Sequence, residues 1–265
     1  MGMIDYHIHT FFCGHAVGQP ENYVEKAIEL GCKEMGFADH FPLLKNWEPD
    51  LTMLEEELPV YVEMVRKLDE KYKEIEIKLG IEVDYIPECM EKTERILEQF
   101  PFDYVYCSVH YIGDWGFDHP SYRKYWDDRD VADVYLQYYS LLKEAVSTGV
   151  FDIVAHFDLV KKFGHRPEKN PDKEIKSLVD AIKKQRMAVE VNTSGLRVPA
   201  EELYPSQKIL KWCKEKSIPV VTGSDAHFPD HVAKDFDSAK KVLKKVGYQK
   251  TAVFKNRKIT KRVGL

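Results

Sequence analysis

The chain opens on a histidine pair, His7-Ile8-His9, inside a short apolar run. On a β-strand, residues i and i+2 point to the same face, so both imidazoles can grip one cation. Imidazole suits zinc, iron or manganese better than calcium or magnesium. Further histidines and carboxylates recur at wide intervals, each closing a run rich in strand formers. They are Asp39 and His40, Glu82 and Asp84, His110, His156, Glu190 (with the amide Asn192 two residues on), and Asp225 and His227, with His15 in the loop beyond the first run. A lone buried histidine is more often a hydrogen-bonded core residue than a ligand. Here most of the 10 histidines fall at such positions, which chance placement does not produce. The candidate ligands are His7, His9, His15, His40, Glu82, His110, His156, Asp225 and His227. A catalytic zinc takes about three protein ligands, so this set implies two or three divalent transition-metal ions (Zn, Fe or Mn).

Glu82 and Asp225 would add hard oxygen donors and negative charge, and Glu82 is the candidate bridge between two ions. Bridged ions lower the pKa of water and neutralise charge that develops on an attacked group, which is the chemistry of a hydrolase. No serine or cysteine nucleophile is then required. Cys13, between His9 and His15, reads as a small residue packing the loop in preference to a reactive thiol.

The elements that must position these groups alternate. Strand-like runs at 4–10, 34–39, 75–84, 104–110, 153–157, 187–192 and 219–224 are each followed by an amphipathic stretch. The helical patterns cover 21–30, 52–72, 87–99, 129–148, 171–185, 206–216 and 233–246, and Pro59 should kink or divide the second of them. Strict alternation implies a parallel sheet. About seven units favour an α/β barrel, a distorted seven-stranded (β/α)7 TIM-like barrel, over an open sheet. In such a barrel the C-terminal strand ends share one face, where active sites sit. Residues 111–127 break the rhythm with an aromatic, glycine-containing loop long enough for a lid or binding loop. The chain closes with an apolar run at 251–254 and a basic tail.

Composition bounds the rest. The 265 residues suit one domain, read as 1–265, and 44% hydrophobic residues can build a substantial core. The net charge of −5, with basic residues concentrated only near the C-terminus, argues against nucleic-acid binding and leaves a small anionic substrate open. Five widely spaced cysteines without a CxxC pair point to a reducing compartment. No signal peptide and no membrane span are expected, so the cytoplasm is the expected location. Homo-oligomerisation is left open.

Seven stretches in order make the chain resemble the PHP (polymerase and histidinol phosphatase) superfamily, and within it the histidinol-phosphatase family. They are His7-Ile8-His9-Thr10 with Phe12-Cys13-Gly14-His15-Ala16; Ala38-Asp39-His40; Gly80-Ile81-Glu82-Val83-Asp84; Cys107-Ser108-Val109-His110; Val154-Ala155-His156; Val191-Asn192-Thr193-Ser194-Gly195-Leu196-Arg197; and Gly223-Ser224-Asp225-Ala226-His227. The resemblance implies the PHP fold and a trinuclear site. One ion would use His7, His9, Glu82 and Asp225, a second Glu82, His110 and His156, and a third His15, His40 and His227. Asp39 is then a ligand or a partner orienting a histidine. The implied reaction is hydrolysis of the phosphomonoester L-histidinol phosphate in histidine biosynthesis, by attack of a metal-bridging hydroxide. Glu82, Asp225 and His227 carry the catalytic roles.

Arg197 is expected to reach the phosphate bidentately. Lys162, beside Lys161, stands where the family often has a basic phosphate contact. Trp115, Phe117, Asp114 and Asp118 are candidates to cover the imidazole and pair with the amine. His119, His165 and His231 lack strand-end positions and are read as surface or supporting residues. The main alternative is a PHP phosphoesterase acting on nucleotides or other small phosphate esters. An amidohydrolase would place a bridging lysine where this chain has Glu82 and has no need of His15. A non-catalytic PHP module would have lost ligands that are all present here.

Overall fold

The structure, a computed structural model, describes residues 3–45 and 51–265. Seven parallel strands lie side by side in sequence order: β1 (Ile4–Ile8), β2 (Glu34–Phe37), β3 (Glu76–Asp84), β4 (Tyr104–Ser108), β5 (Ile153–Val154), β6 (Ala188–Asn192) and β7 (Val220–Gly223). Helices follow them one for one: α1 (Pro20–Glu29), α2 (Leu58–Lys71), α3 (Met90–Leu97), α4 (Val131–Ser147), α5 (Asp172–Gln185), α6 (Gln207–Glu215) and α7 (Phe236–Val246). Strand order equal to sequence order is what βα repetition gives when a twisted sheet curls on itself. The outer strands meet at a single bridge between Ile8 and Ala226. There His9 N donates to Ala226 O (3.0 Å) and Ala226 N donates to His7 O (3.2 Å). The expected seven-stranded barrel is therefore present and nearly closed, and its seam joins the ends that carry His9 and Asp225.

Three expectations need correction. Pro59 does not kink a helix over 52–72. The helix begins at Leu58, so Pro59 lies in its first turn, where a missing N–H costs nothing, and a short 3-10 turn at Glu55–Glu57 precedes it. Pro87 likewise starts a 3-10 turn, Pro87–Cys89, that leads into α3. The basic C-terminal tail is a strand: β8 (Lys250–Lys255) and β9 (Lys258–Gly264) form an antiparallel hairpin.

That hairpin covers the N-terminal end of the barrel. Arg257 ion-pairs with Asp152 and Asn256 N donates to Asp103, both residues immediately before barrel strands. Ala252, Val253 and Phe254 pack with Ile4, Tyr6, Tyr104 and Ile153 in one buried cluster. Tyr104 crosses the barrel, and its hydroxyl donates to Tyr6 O (2.7 Å). Its ring occupies the space beside Gly36 and Gly80, where an added Cβ would lie 2.0 and 2.2 Å from Tyr104 atoms. Neither position admits a side chain. From Phe254 a file of rings, Tyr104, Tyr106 and then His7, runs up the barrel, with Tyr106 stacked on the His7 imidazole at 4.7 Å.

Candidate metal centre

At the opposite, C-terminal end the strands deliver their polar residues to one place. β1 supplies His7 and His9 from one face of the strand, both fully buried. β3 supplies Glu82, which is the hub. Its Oε2 lies 3.2 Å from His7 Nε2, 3.5 Å from His9 Nε2 and 3.2 Å from His40 Nδ1. Its Oε1 lies 2.7 Å from His156 Nε2 and 3.8 Å from His110 Nε2. Asp225 faces His9 Nε2 at 3.3 Å through Oδ1. His15, His40 and His227 form a further set whose donor atoms lie within 4.8 Å of one another, and His15 stacks on His227 at 4.6 Å. All nine ligands expected from the sequence therefore converge.

The geometry fits shared cations better than hydrogen bonds. Two donors about 2.1 Å from an ion at a tetrahedral angle stand about 3.4 Å apart, close to the His7–Glu82, His9–Glu82 and His9–Asp225 separations. The buried ring nitrogens His7 Nε2, His9 Nε2 and His227 Nε2 have no hydrogen-bond partner among the described residues. Buried polar atoms are normally paired, so a cluster of orphaned imidazole nitrogens facing carboxylates is a site built for cations.

The charges agree. Burial alone would push the His7 imidazole down, yet Glu190, Glu82 and Asp225 hold it well above its ordinary range. Burial acts likewise on His9, and Asp225 and Asp39 outweigh it. Glu82 and Asp225 are pushed up by burial but pulled well below the usual carboxylate range, chiefly by the charge of His7. His40 and His227 go well below theirs, first through burial and then through the neighbouring histidine charges, with His9 first among them. Histidines held above their ordinary range beside carboxylates held below theirs make a cluster in which divalent ions can take the place of protons.

Behind the ligands stands a supporting ring of acceptors. Glu190 Oε1 pairs with His7 Nδ1 at 2.7 Å, and Glu190 Oε2 accepts from His156 N and from Asn192 Nδ2. Asp84 Oδ2 pairs with His110 Nδ1 at 2.9 Å. Asp39 lies 3.4 Å from His9 Nδ1, a charge contact without a hydrogen bond, and accepts from Thr10 N, so it flanks its histidine from behind. His15 Nδ1 and His227 Nδ1 sit on the backbone carbonyls of Cys13 and Asp225. Sequence reading placed Glu190 at a strand end but missed its role. The one available signal was its i+2 partner Asn192 on the same strand face. Gly223 belongs to this ring too, since a Cβ there would lie 2.0 Å from Glu190 Oε1. Asp225 itself adopts φ 56, a left-handed conformation sparsely populated by non-glycine residues and typical of functional turns. Cys13 is buried. Its Sγ donates to Thr10 O and accepts from Ala16 N, so it closes the loop that carries His15.

The expected substrate contacts are placed unevenly. Arg197, on the turn after β6, is held by Asp235 Oδ2 (3.3 Å) and Ser224 O (2.5 Å), beside Asp225. Lys162, after His156, pairs with Asp118 at 3.0 Å. Its neighbour Lys161 is buried among Asp158, Glu202 and Leu203 O, where all its charge is matched within the protein. Trp115 turns inward: Arg129 covers its face at 4.0 Å, and Trp126 and Phe117 pack edge-on against it. It is part of the loop's own core. His119 caps a 3-10 turn, His165 stacks on Trp126, and His231 packs against Phe228.

With this geometry in hand, similarity to known proteins is specific. The family model described as PHP domain matches residues 5–194, and one described as PHP-associated matches residues 205–234. A Deinococcus radiodurans protein named "Probable histidinol-phosphatase" is 37% identical over 97% of this chain and 98% of its own length. The Bacillus subtilis protein named "Histidinol-phosphatase" is 31% identical over 84% of this chain and 92% of its own. A crystal structure of histidinol phosphate phosphatase from Lactococcus lactis, complexed with zinc, L-histidinol and phosphate, superposes with a TM-score of 0.83. It covers 98% of this chain and 99% of that one at 23% identity, which supports the fold. The chain belongs to the PHP-domain family, in the branch of the histidinol-phosphatases.

Proposed function

We propose that the chain hydrolyses the phosphomonoester L-histidinol phosphate to L-histidinol and phosphate, a step of histidine biosynthesis, as a metal-dependent phosphatase. The observation that carries this reading is the convergence of seven histidines with Glu82 and Asp225, with buried ring nitrogens left for cations. The relatives that align along nearly the whole chain bear the name of this activity. Residues 1–265 are read as one PHP domain.

Three ions would be held by His7, His9, Glu82 and Asp225; by Glu82, His110 and His156; and by His15, His40 and His227, with His40 also 3.2 Å from Glu82 Oε2. When bound, such a centre supplies an activated water at neutral pH and neutralises the phosphoryl oxygens. The chain's own groups do the rest. Glu82 fixes the spacing of the first two sets by offering one carboxylate oxygen to each. Glu190, Asp39 and Asp84 hold His7, His9 and His110 in place, so little reorganisation remains for the reaction. Arg197 and Lys162 bring positive charge to the phosphate. Asp225 is held as a carboxylate and His227 as a neutral imidazole, so neither is the acid, and the leaving alkoxide takes its proton from water in the site.

The test is to measure metal content and phosphate release from L-histidinol phosphate beside nucleotides and phosphosugars. Histidinol phosphate should be preferred. Preference for a nucleotide, or no release with any reconstituted metal, would overturn the reading. Arg197→Ala should mainly raise KM, and an unchanged KM would remove its phosphate role. No described helix is long and apolar enough to cross a membrane.

A further inference from the structure

Among charged groups beside the cluster that the reaction scheme does not use, Asp118 stands out. It sits on the loop after β4, and that loop is pinned in register. Phe117 N donates back to His110 O, and Trp126 Nε1 donates to Phe117 O, while Phe117 is buried edge-on against Tyr138. Asp118 is therefore fixed close to the strand end that carries His110. Its partner Lys162 comes from a different strand end, beyond His156, and reaches across to it at 3.0 Å. Both side chains stay partly open, 13% for Asp118 and 27% for Lys162. Burial pushes the Asp118 carboxyl up, but Lys162, His110 and His156 together hold it below its usual range, so it is an anion.

We propose that Asp118 and Lys162 form an exchangeable ion pair that selects phosphomonoesters bearing an ammonium group on the carbon next to the ester carbon. Such a substrate carries both charges the pair carries, separated by two carbons and the ester oxygen. On binding, Lys162 turns to the phosphate and the substrate ammonium takes its place on Asp118. No charge is left unpaired in either state, which matters because removing one partner of a desolvated pair costs far more than exchanging it. A phosphate ester without the ammonium would have to pull Lys162 away and strand Asp118. The pair therefore discriminates by penalising the wrong ligand as well as by attracting the right one. This rests on the proposed phosphatase reading and deepens it by naming the group that reads the amine.

The experiment compares two substrates on each enzyme preparation: L-histidinol phosphate and its deaminated counterpart, 3-(imidazol-4-yl)propyl phosphate. Asp118→Asn is isosteric, and the ratio of the two rates is independent of the folded or metal-loaded fraction. For Asp118→Asn, kcat/KM for the amine-bearing ester should fall on the order of 30-fold, given the strength of a charged hydrogen bond, while for the deaminated ester it should hold or rise, because no carboxylate is stranded when Lys162 turns to the phosphate. Lys162→Met should lower both, since the phosphate is common to them. L-histidinol binding, measured by calorimetry, should weaken in Asp118→Asn. An equal fall for both substrates would reduce Asp118 to a residue that positions Lys162, and no change would remove it from the site; either overturns the inference. Phosphatase activity that prefers another 2-ammonioalkyl phosphate over histidinol phosphate would overturn the substrate reading and leave this inference standing.

Discussion

The two ends of the barrel hold the same kinds of residue in opposite ways. At the N-terminal end, polar groups are matched inside the protein: Tyr6 bonds to Glu34, Tyr104 to Tyr6 O, Arg257 to Asp152 and Thr222 to Ile4 O. A hairpin then seals that end. At the C-terminal end, ring nitrogens of comparable burial have no hydrogen bonds among the described residues, and like charges are crowded. The first arrangement minimises free energy from the chain's own groups. The second makes sense only when something else arrives. A file of aromatic rings runs between the two ends.

The contrast can be broken most forcefully at Glu82. Glu82→Ala and His9→Ala should each lower turnover by about a thousandfold or more, because both leave an ion set incomplete. Metal content should fall with activity while the far-ultraviolet circular dichroism stays native. Retained turnover in either variant would contradict the shared-cation geometry.

A complementary break belongs to the other end. Tyr104→Ala empties the space enclosed by Gly36 and Gly80 and should cost about 3–5 kcal/mol of stability. Urea unfolding reads that loss, while kcat per folded, metal-loaded molecule should be largely kept. If kcat fell as far as in Glu82→Ala, the two ends would not be separable.

Between these lies Glu190→Gln. It keeps the shape but removes the carboxylate behind His7, and metal affinity should weaken about 10–100-fold. Competition with a coloured chelator measures it, and an unchanged affinity would reduce Glu190 to a packing role. The same titration should depend on pH. His7 and His9 are held well above their ordinary range without metal, so across neutral pH they carry protons that an ion must displace. Affinity should therefore rise as pH rises through that range, with proton release on loading. A flat profile would show that the imidazoles are already neutral. The smallest effect is expected from Arg257→Ala, whose ion pair with Asp152 is partly exposed to solvent and screened. It should cost about 1 kcal/mol or less, read by thermal unfolding, with no change in metal uptake.

Much of the site was legible before any coordinates. The i, i+2 spacing of His7 and His9 and the recurrence of His, Asp and Glu at strand ends required only the period of a strand and the polarity of a parallel barrel. Those two rules bring eight of the nine candidate ligands to one end of the barrel; His15 comes from the loop after β1. The supporting ring was less legible, because Glu190, Asp84 and Asp39 differ from Glu82 and Asp225 only in which neighbour they face. Trp115 illustrates the limit from the other side. An aromatic residue in a long loop beside a site has the right type for covering a ligand, yet Arg129 and Trp126 claim its faces.

The sequence by itself determined the alternation of strands and helices, the ligand types and the end of the barrel on which they gather, because these follow from local periodicity and chain direction. Tertiary structure alone decided which carboxylate stands behind which histidine, and that Gly36, Gly80 and Gly223 must lack side chains for Tyr104 and Glu190 to fit. It also decided that the basic C-terminal segment is a sealing strand and that Lys162 rests on Asp118. Each of these depends on contacts between residues far apart in the chain, set by the register of packed strands and loops, which no local pattern encodes.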